Sequence, residues 1–92
     1  MDYPLMSVSD VQTYVYEITA HRVSEVARSP VGFLYNYLKR GKAMLNEVAP
    51  GGKITWQQKR ANFIKRHLVQ YNTNKTLRHR LALIAWAYKP AR

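Results

Sequence analysis

Cysteine is absent from this 92-residue chain. No disulfide can staple its core, and the thiolate sets that close structural zinc sites are excluded. Three histidines, His21, His67 and His79, are too dispersed along the sequence to replace them. The lack of thiols suits a reducing cytosol. Long apolar runs are absent too. The longest near-continuous one, residues 81–88, has eight residues, where a membrane-spanning helix needs about 20. The first four residues carry an acid and no base, unlike the basic start of a secretory signal. A cytoplasmic protein is the expectation.

Acids are scarce. There are five, all within residues 1–52, and none pairs with another at a spacing that suits acid and base roles. Residues 53–92 hold no carboxylate at all, so the ligands that a nuclease's metal would need are missing there. Glycine is limited to four positions, and Gly51-Gly52 follows Pro50 without the Lys-Ser/Thr that completes a phosphate-cradling loop. These gaps argue against an enzyme, and they leave no cofactor or metal to expect.

What is present points to a folded domain. The chain is 47% hydrophobic and 12% aromatic, more than a disordered segment carries. Its length fits one domain, with one candidate joint at residues 49–53, where Pro50-Gly51-Gly52 breaks the pattern.

Caps and periodicity predict an all-α domain of four helices, at about residues 8–28, 30–48, 55–71 and 75–88. Ser7, three residues before Asp10, has the form of an N-terminal cap. Behind it Val8, Val11, Val15 and Ile18, and later Val23 and Val26, recur at three- and four-residue steps. Ser29-Pro30 opens the second helix, whose stripe of Val31, Leu34, Leu38, Leu45 and Val48 includes Gly41. Thr55 with Gln58 makes a capping box for the third. There Trp56, Phe63, Ile64, Leu68 and Tyr71 share a face, interrupted by Arg60 and His67. We expect Arg60 to snorkel from the margin of that face, and His67 to bond a backbone carbonyl. Asn72-Thr73-Asn74 ends the third helix and supplies the cap of the fourth.

Charge is the strongest signal. The net value is +10, and it resides entirely in one half. Residues 1–52 balance five bases with five acids, whereas residues 53–92 hold ten bases and no acid. Self-repulsion of this kind is relieved by a polyanion. The candidate nucleic-acid-binding residues are Lys53, Lys59, Arg60, Lys65, Arg66, Lys75, Arg78, His79 and Arg80, with Lys89 and Arg92 beyond them. The leading expectation is a small regulator or accessory factor that binds DNA rather than RNA, since nothing resembles an RNA-binding sheet motif.

Two variants refine it. The last two helices have the order of a helix-turn-helix, with Arg78 and Arg80 facing base edges and Asn74 or Thr76 near phosphates, although the turn lacks glycine. Alternatively Trp56, Tyr71, Trp86 and Tyr88 would stack on unpaired bases, but their positions suit a core better. The competing reading is a protein-binding module, such as a phage or mobile-element inhibitor or adaptor docking on an acidic host protein. Exposure of Tyr16 and Tyr37 together would favour it. A membrane-surface helix ranks third, and an apolar stripe left over would serve a homodimer contact.

Overall fold

The computed structural model describes residues 3–23 and 25–90. Arg92, one of the ten bases, lies outside them. The fold is all-α. Among the described residues it has six α-helices, α1 (Val8–Gln12), α2 (Val15–Ala20), α3 (Glu25–Arg28), α4 (Phe33–Arg40), α5 (Trp56–Thr73) and α6 (Leu77–Ile84). A 3-10 helix, Gly41–Asn46, follows α4. Among the described residues no helix is long and apolar enough to cross a membrane.

The first expected helix is three short ones. Ser7 caps α1 as anticipated, its hydroxyl accepting from the Asp10 N–H at 3.1 Å. Thr13 then stops it, because its side-chain hydroxyl takes the Asp10 carbonyl at 2.6 Å, a local bond that competes with helix propagation. The end of α2 is a Schellman turn. Val23 N–H reaches Ile18 O and Arg22 N–H reaches Thr19 O, both at 3.0 Å, the paired bonds of that motif. Its left-handed position is filled by Arg22 at φ 53°, where glycine is usual. Substituting Arg22→Gly removes about 1–2 kcal/mol of left-handed strain and adds about 0.4–1 kcal/mol of unfolded-state entropy cost. Thermal melts should therefore show a gain of a few degrees.

The second expected helix starts later and stops earlier. Ser29-Pro30 opens a turn, with Gly32 N–H on Ser29 O at 2.8 Å, and Gly32 rather than Ser29 is the N-cap of α4. Val31 and Val48 are exposed, off the core stripe. Gly41 is no packing gap within a helix; it ends α4 at φ 67°, ψ −153°, a region open to glycine almost alone. An added Cβ would sit 3.8 Å from Val8 Cγ2, an ordinary contact. The penalty for Gly41→Ala is thus conformational, about 1–2 kcal/mol after the entropy offset. Chemical denaturation should read it as a lower midpoint at unchanged slope.

The Pro50-Gly51-Gly52 loop is closed by an isolated antiparallel bridge between Val48 and Thr55. Ala49 N–H meets Ile54 O at 2.8 Å, and Trp56 N–H meets Glu47 O at 2.9 Å. Gly51 and Gly52 take positive φ, 107° and 74°. The capping box follows as read: Gln58 N–H to Thr55 Oγ1 at 3.2 Å, Thr55 N–H to Gln58 Oε1 at 3.1 Å. α6 is capped by Thr76, whose hydroxyl accepts from His79 N–H at 3.1 Å, not by Asn74. α6 also ends in a glycine-free Schellman turn. Tyr88 N–H bonds Leu83 O and Ala87 N–H bonds Ile84 O, with Ala87 at φ 60°.

Residues from both sides of that loop share the main apolar cluster. Phe33, Tyr37 and Met44 pack with Trp56, Leu81, Ile84 and Trp86. A smaller cluster of Ile64, Tyr71 and Leu83 lies under Tyr3 and Tyr88, whose rings meet edge-on at 5.6 Å.

Arg60 corrects the sequence reading. It does not lie at the margin of a charged face; it is buried, 6% exposed, and tied entirely to backbone carbonyls. Its guanidinium donates to Trp86 O at 2.6 Å and Ala87 O at 2.8 Å, where α6 ends, and to Tyr3 O at 3.0 Å and Pro4 O at 2.9 Å in the N-terminal arm. Met6 N–H adds a bond to Ala87 O at 2.8 Å, and the Tyr37 hydroxyl donates to Met6 O. Burial pushes the Arg60 guanidinium down to about 10, so it remains charged at neutral pH. The same burial raises the Tyr37 phenol. Arg60 thus ties the N-terminal arm to the turn after α6 instead of projecting from a charged face.

Candidate functional site

The candidate interface is built on α5, an 18-residue helix about 27 Å long. One stripe of it carries Lys59, Phe63, Arg66, His67 and Gln70, residues on successive turns. This stripe forms one wall of a groove of about 520 Å³. Arg78, His79 and Ala82 of α6 make the other wall, Trp86 from the closing turn the floor, and Val23 and Ala27 the end. No carboxylate is among these lining residues.

The floor belongs to a column of near-parallel rings. Tyr37 and Phe33 stack with centroids 5.5 Å apart, Phe33 and Trp86 at 4.9 Å, Trp86 and Phe63 at 4.5 Å, Phe63 and His67 at 3.8 Å. The interplanar angles run from 13° to 21°. The column begins in the core and ends at His67, the half-buried ring in the groove wall. As expected, His67 is held by a backbone carbonyl, with Nδ1 3.0 Å from Phe63 O. Trp86 is 4% exposed, and its indole Nε1–H has no acceptor among the described residues.

The cations differ in freedom. Lys59 lies with its ammonium 5.5 Å from the centre of the Trp56 ring, a cation–π contact. Arg66 is exposed. Arg78 reaches the C-terminal end of α2, donating to His21 O at 2.6 Å and Arg22 O at 3.4 Å, a favourable place for a cation. His79 Nδ1 is 2.9 Å from Asn74 O.

Of the nine predicted contact residues, the groove gathers Lys59, Arg66, Arg78 and His79. Lys53, Lys65 and Lys75 are exposed but lie outside it. Lys65 sits on the outward side of α5, about 100° around the helix from Arg66. Arg80 turns the other way, bonded to Pro90 O at 3.0 Å and the Tyr71 hydroxyl at 3.4 Å. Arg60 is buried in the clamp. Trp56, Tyr71 and Trp86 are core residues, as their spacing implied. Sequence reasoning missed the groove role of Phe63, Gln70 and Trp86; the Lys59-Phe63-Arg66-His67-Gln70 spacing was the signal for the first two. Among the described residues the one ion pair is Arg40 with Glu47, far in sequence from these bases. No group of residues that could hold a metal occurs among the described residues.

No family model matches this chain, and no curated protein or solved structure is significantly similar to it.

Proposed function

We propose that this chain is a small, non-catalytic nucleic-acid-binding protein that meets DNA through phosphate contacts along α5. The observation that carries the reading is the arrangement of Lys59, Lys65 and Arg66 on one regular helix, with Arg78 beside them and no carboxylate in residues 53–90 to neutralise them. Phosphate contacts by such cations release counterions and need no defined sequence. Accessory or regulatory binding follows from that chemistry rather than from a catalytic centre.

The contact helix is α5 rather than α6. A recognition helix must present its N-terminal side chains to base edges. In α6 the Arg80 guanidinium is engaged with Pro90 O, and Leu81, Leu83 and Ile84 are buried. A protein-docking reading would have gained from Tyr16 and Tyr37 exposed together. Tyr16 is 82% exposed but Tyr37 is 1% exposed, so that support is missing.

The test is a salt titration against a mixed-sequence DNA duplex, with Lys65→Glu and Arg66→Glu alongside. Affinity that falls steeply with salt, and that both reversals weaken, is the expected result. Absence of binding at about 50 mM salt, where non-specific contacts are strong, would remove the proposal.

A further inference from the structure

We propose that the groove between α5 and α6 seats one unpaired nucleotide, with its base laid over His67 and its phosphate held by Lys59, Arg66 and Arg78. The inference rests on the nucleic-acid reading and narrows it, because a duplex alone has no unstacked base to offer.

Three independent features converge on this ligand. The first is size: about 520 Å³ lies within the usual range for a small-ligand cleft and is too small for a duplex. The second is the ring column. Four successive ring pairs stack nearly parallel and stop at His67 in the groove wall, so a flat base would extend the series by one layer. Stacking of this kind is available to every base. The third is charge: Lys59, Arg66 and Arg78 border the groove, and no carboxylate is among its lining residues.

Charge selects the ligand's other end. Lys59, Arg66 and Arg78 border the same groove, and a phosphate is the anion that several cations can share at once. Arg78 uses two of its nitrogens on the carbonyls of His21 and Arg22. That holds the guanidinium in place and leaves further N–H donors unused. Gln70, also in the wall, offers both a donor and an acceptor to a base edge. An aliphatic anion would satisfy the cations but not the ring column.

The experiment is an NMR titration of the full chain with adenosine 5′-monophosphate, following the backbone N–H resonance of Gln70 in the groove wall. Adenosine and inorganic phosphate serve as separate arms. The expected result is a saturable shift of that resonance with the mononucleotide, at an affinity at least tenfold above either half alone. His67→Ala should weaken binding about tenfold, the loss of one stacking layer, while His67→Tyr keeps a ring and retains it. Arg66→Glu should weaken the mononucleotide and phosphate arms and spare adenosine.

Four outcomes would overturn the proposal. They are no movement of that resonance at about 5 mM mononucleotide, phosphate alone binding as well as the mononucleotide, and folded His67→Ala binding as tightly as the parent. The fourth is an Asp/Glu-rich peptide that moves the resonance where the mononucleotide does not, which marks the groove as a protein contact. Duplex binding without mononucleotide binding removes only the groove ligand. Mononucleotide binding without duplex binding supports the groove and removes the phosphate-tracking role of α5.

Discussion

Replacing Arg60 with glutamine is expected to destabilise the protein by about 3–5 kcal/mol, the largest loss from any single basic residue of the chain. Four donor bonds disappear, two to the end of α6 and two to the N-terminal arm. A bond from a charged donor contributes about 1.5–3 kcal/mol, and each buried carbonyl left bare costs about 1–3 kcal/mol. These terms are offset by the guanidinium desolvation that the variant avoids, the same desolvation that lowers the Arg60 pKa to about 10. Ala87 O keeps its second donor, Met6 N–H, which limits the loss further. For a domain of this size about 4–8 °C of melting temperature accompanies each kcal/mol, so a fall of at least 12 °C is expected.

Lysine should rescue little, because a single ammonium cannot reproduce the planar fork that spans four carbonyls on two segments. Methionine should rescue no more, since it fills the space but donates to nothing. A melting temperature within about 4 °C of the parent for Arg60→Gln would show that the clamp is not what holds the chain ends. The variant also separates fold from binding. Folded Arg60→Gln protein, held well below its melting point, should retain its DNA affinity, because the residue does not reach the outward face of α5.

Some elements were legible in the sequence because they have a local chemical signature. Ser7 before Asp10, and Thr55 before Gln58, are short-range hydrogen-bond patterns that work in any context, and both helices begin where those residues imply. The two missed helix ends have no such signature. Schellman turns are normally marked by glycine, but here Arg22 and Ala87 take the left-handed position, held by the Arg78 contact and the Arg60 clamp. Gly41 misled in the opposite direction. A glycine on an apolar stripe reads as room for a neighbouring helix, whereas its positive φ is what ends α4.

The candidate site divides in the same way. Charge segregation is a property of composition, so the basic half could be read without any fold. Which bases share a surface is a tertiary fact. Arg60 is 40° from Trp56 around α5 and thus inside the apolar face, a position that only a set of bare carbonyls can make acceptable for an arginine. Nothing local announces those carbonyls, which come from residues 3, 4, 86 and 87. The ring column is likewise assembled from α4, α5 and the turn after α6, three segments whose meeting the sequence does not encode at short range.

The affinity for duplex DNA is expected to fall about 150-fold between 50 and 200 mM salt. The slope of log affinity against log salt is near −0.9 for each phosphate neutralised. Lys59, Lys65 and Arg66 on α5, with Arg78 beside them, give about four contacts and a slope near −3.6. Across a fourfold change in salt that amounts to roughly two powers of ten. Arg60 is excluded from the sum because it is buried, and Arg80 because it is bonded to Pro90 O on another side of the molecule. Lys65→Glu or Arg66→Glu should each lower affinity about tenfold at 100 mM salt and flatten the slope by about one contact. Arg80→Glu, by contrast, should change the slope little, since the residue lies off the contact helix. A slope near −7 that Arg80→Glu flattens would mean that the whole basic half wraps the duplex and that α5 is not the principal contact. A slope near −1 would leave only diffuse attraction of a +10 chain for a polyanion, without a defined face.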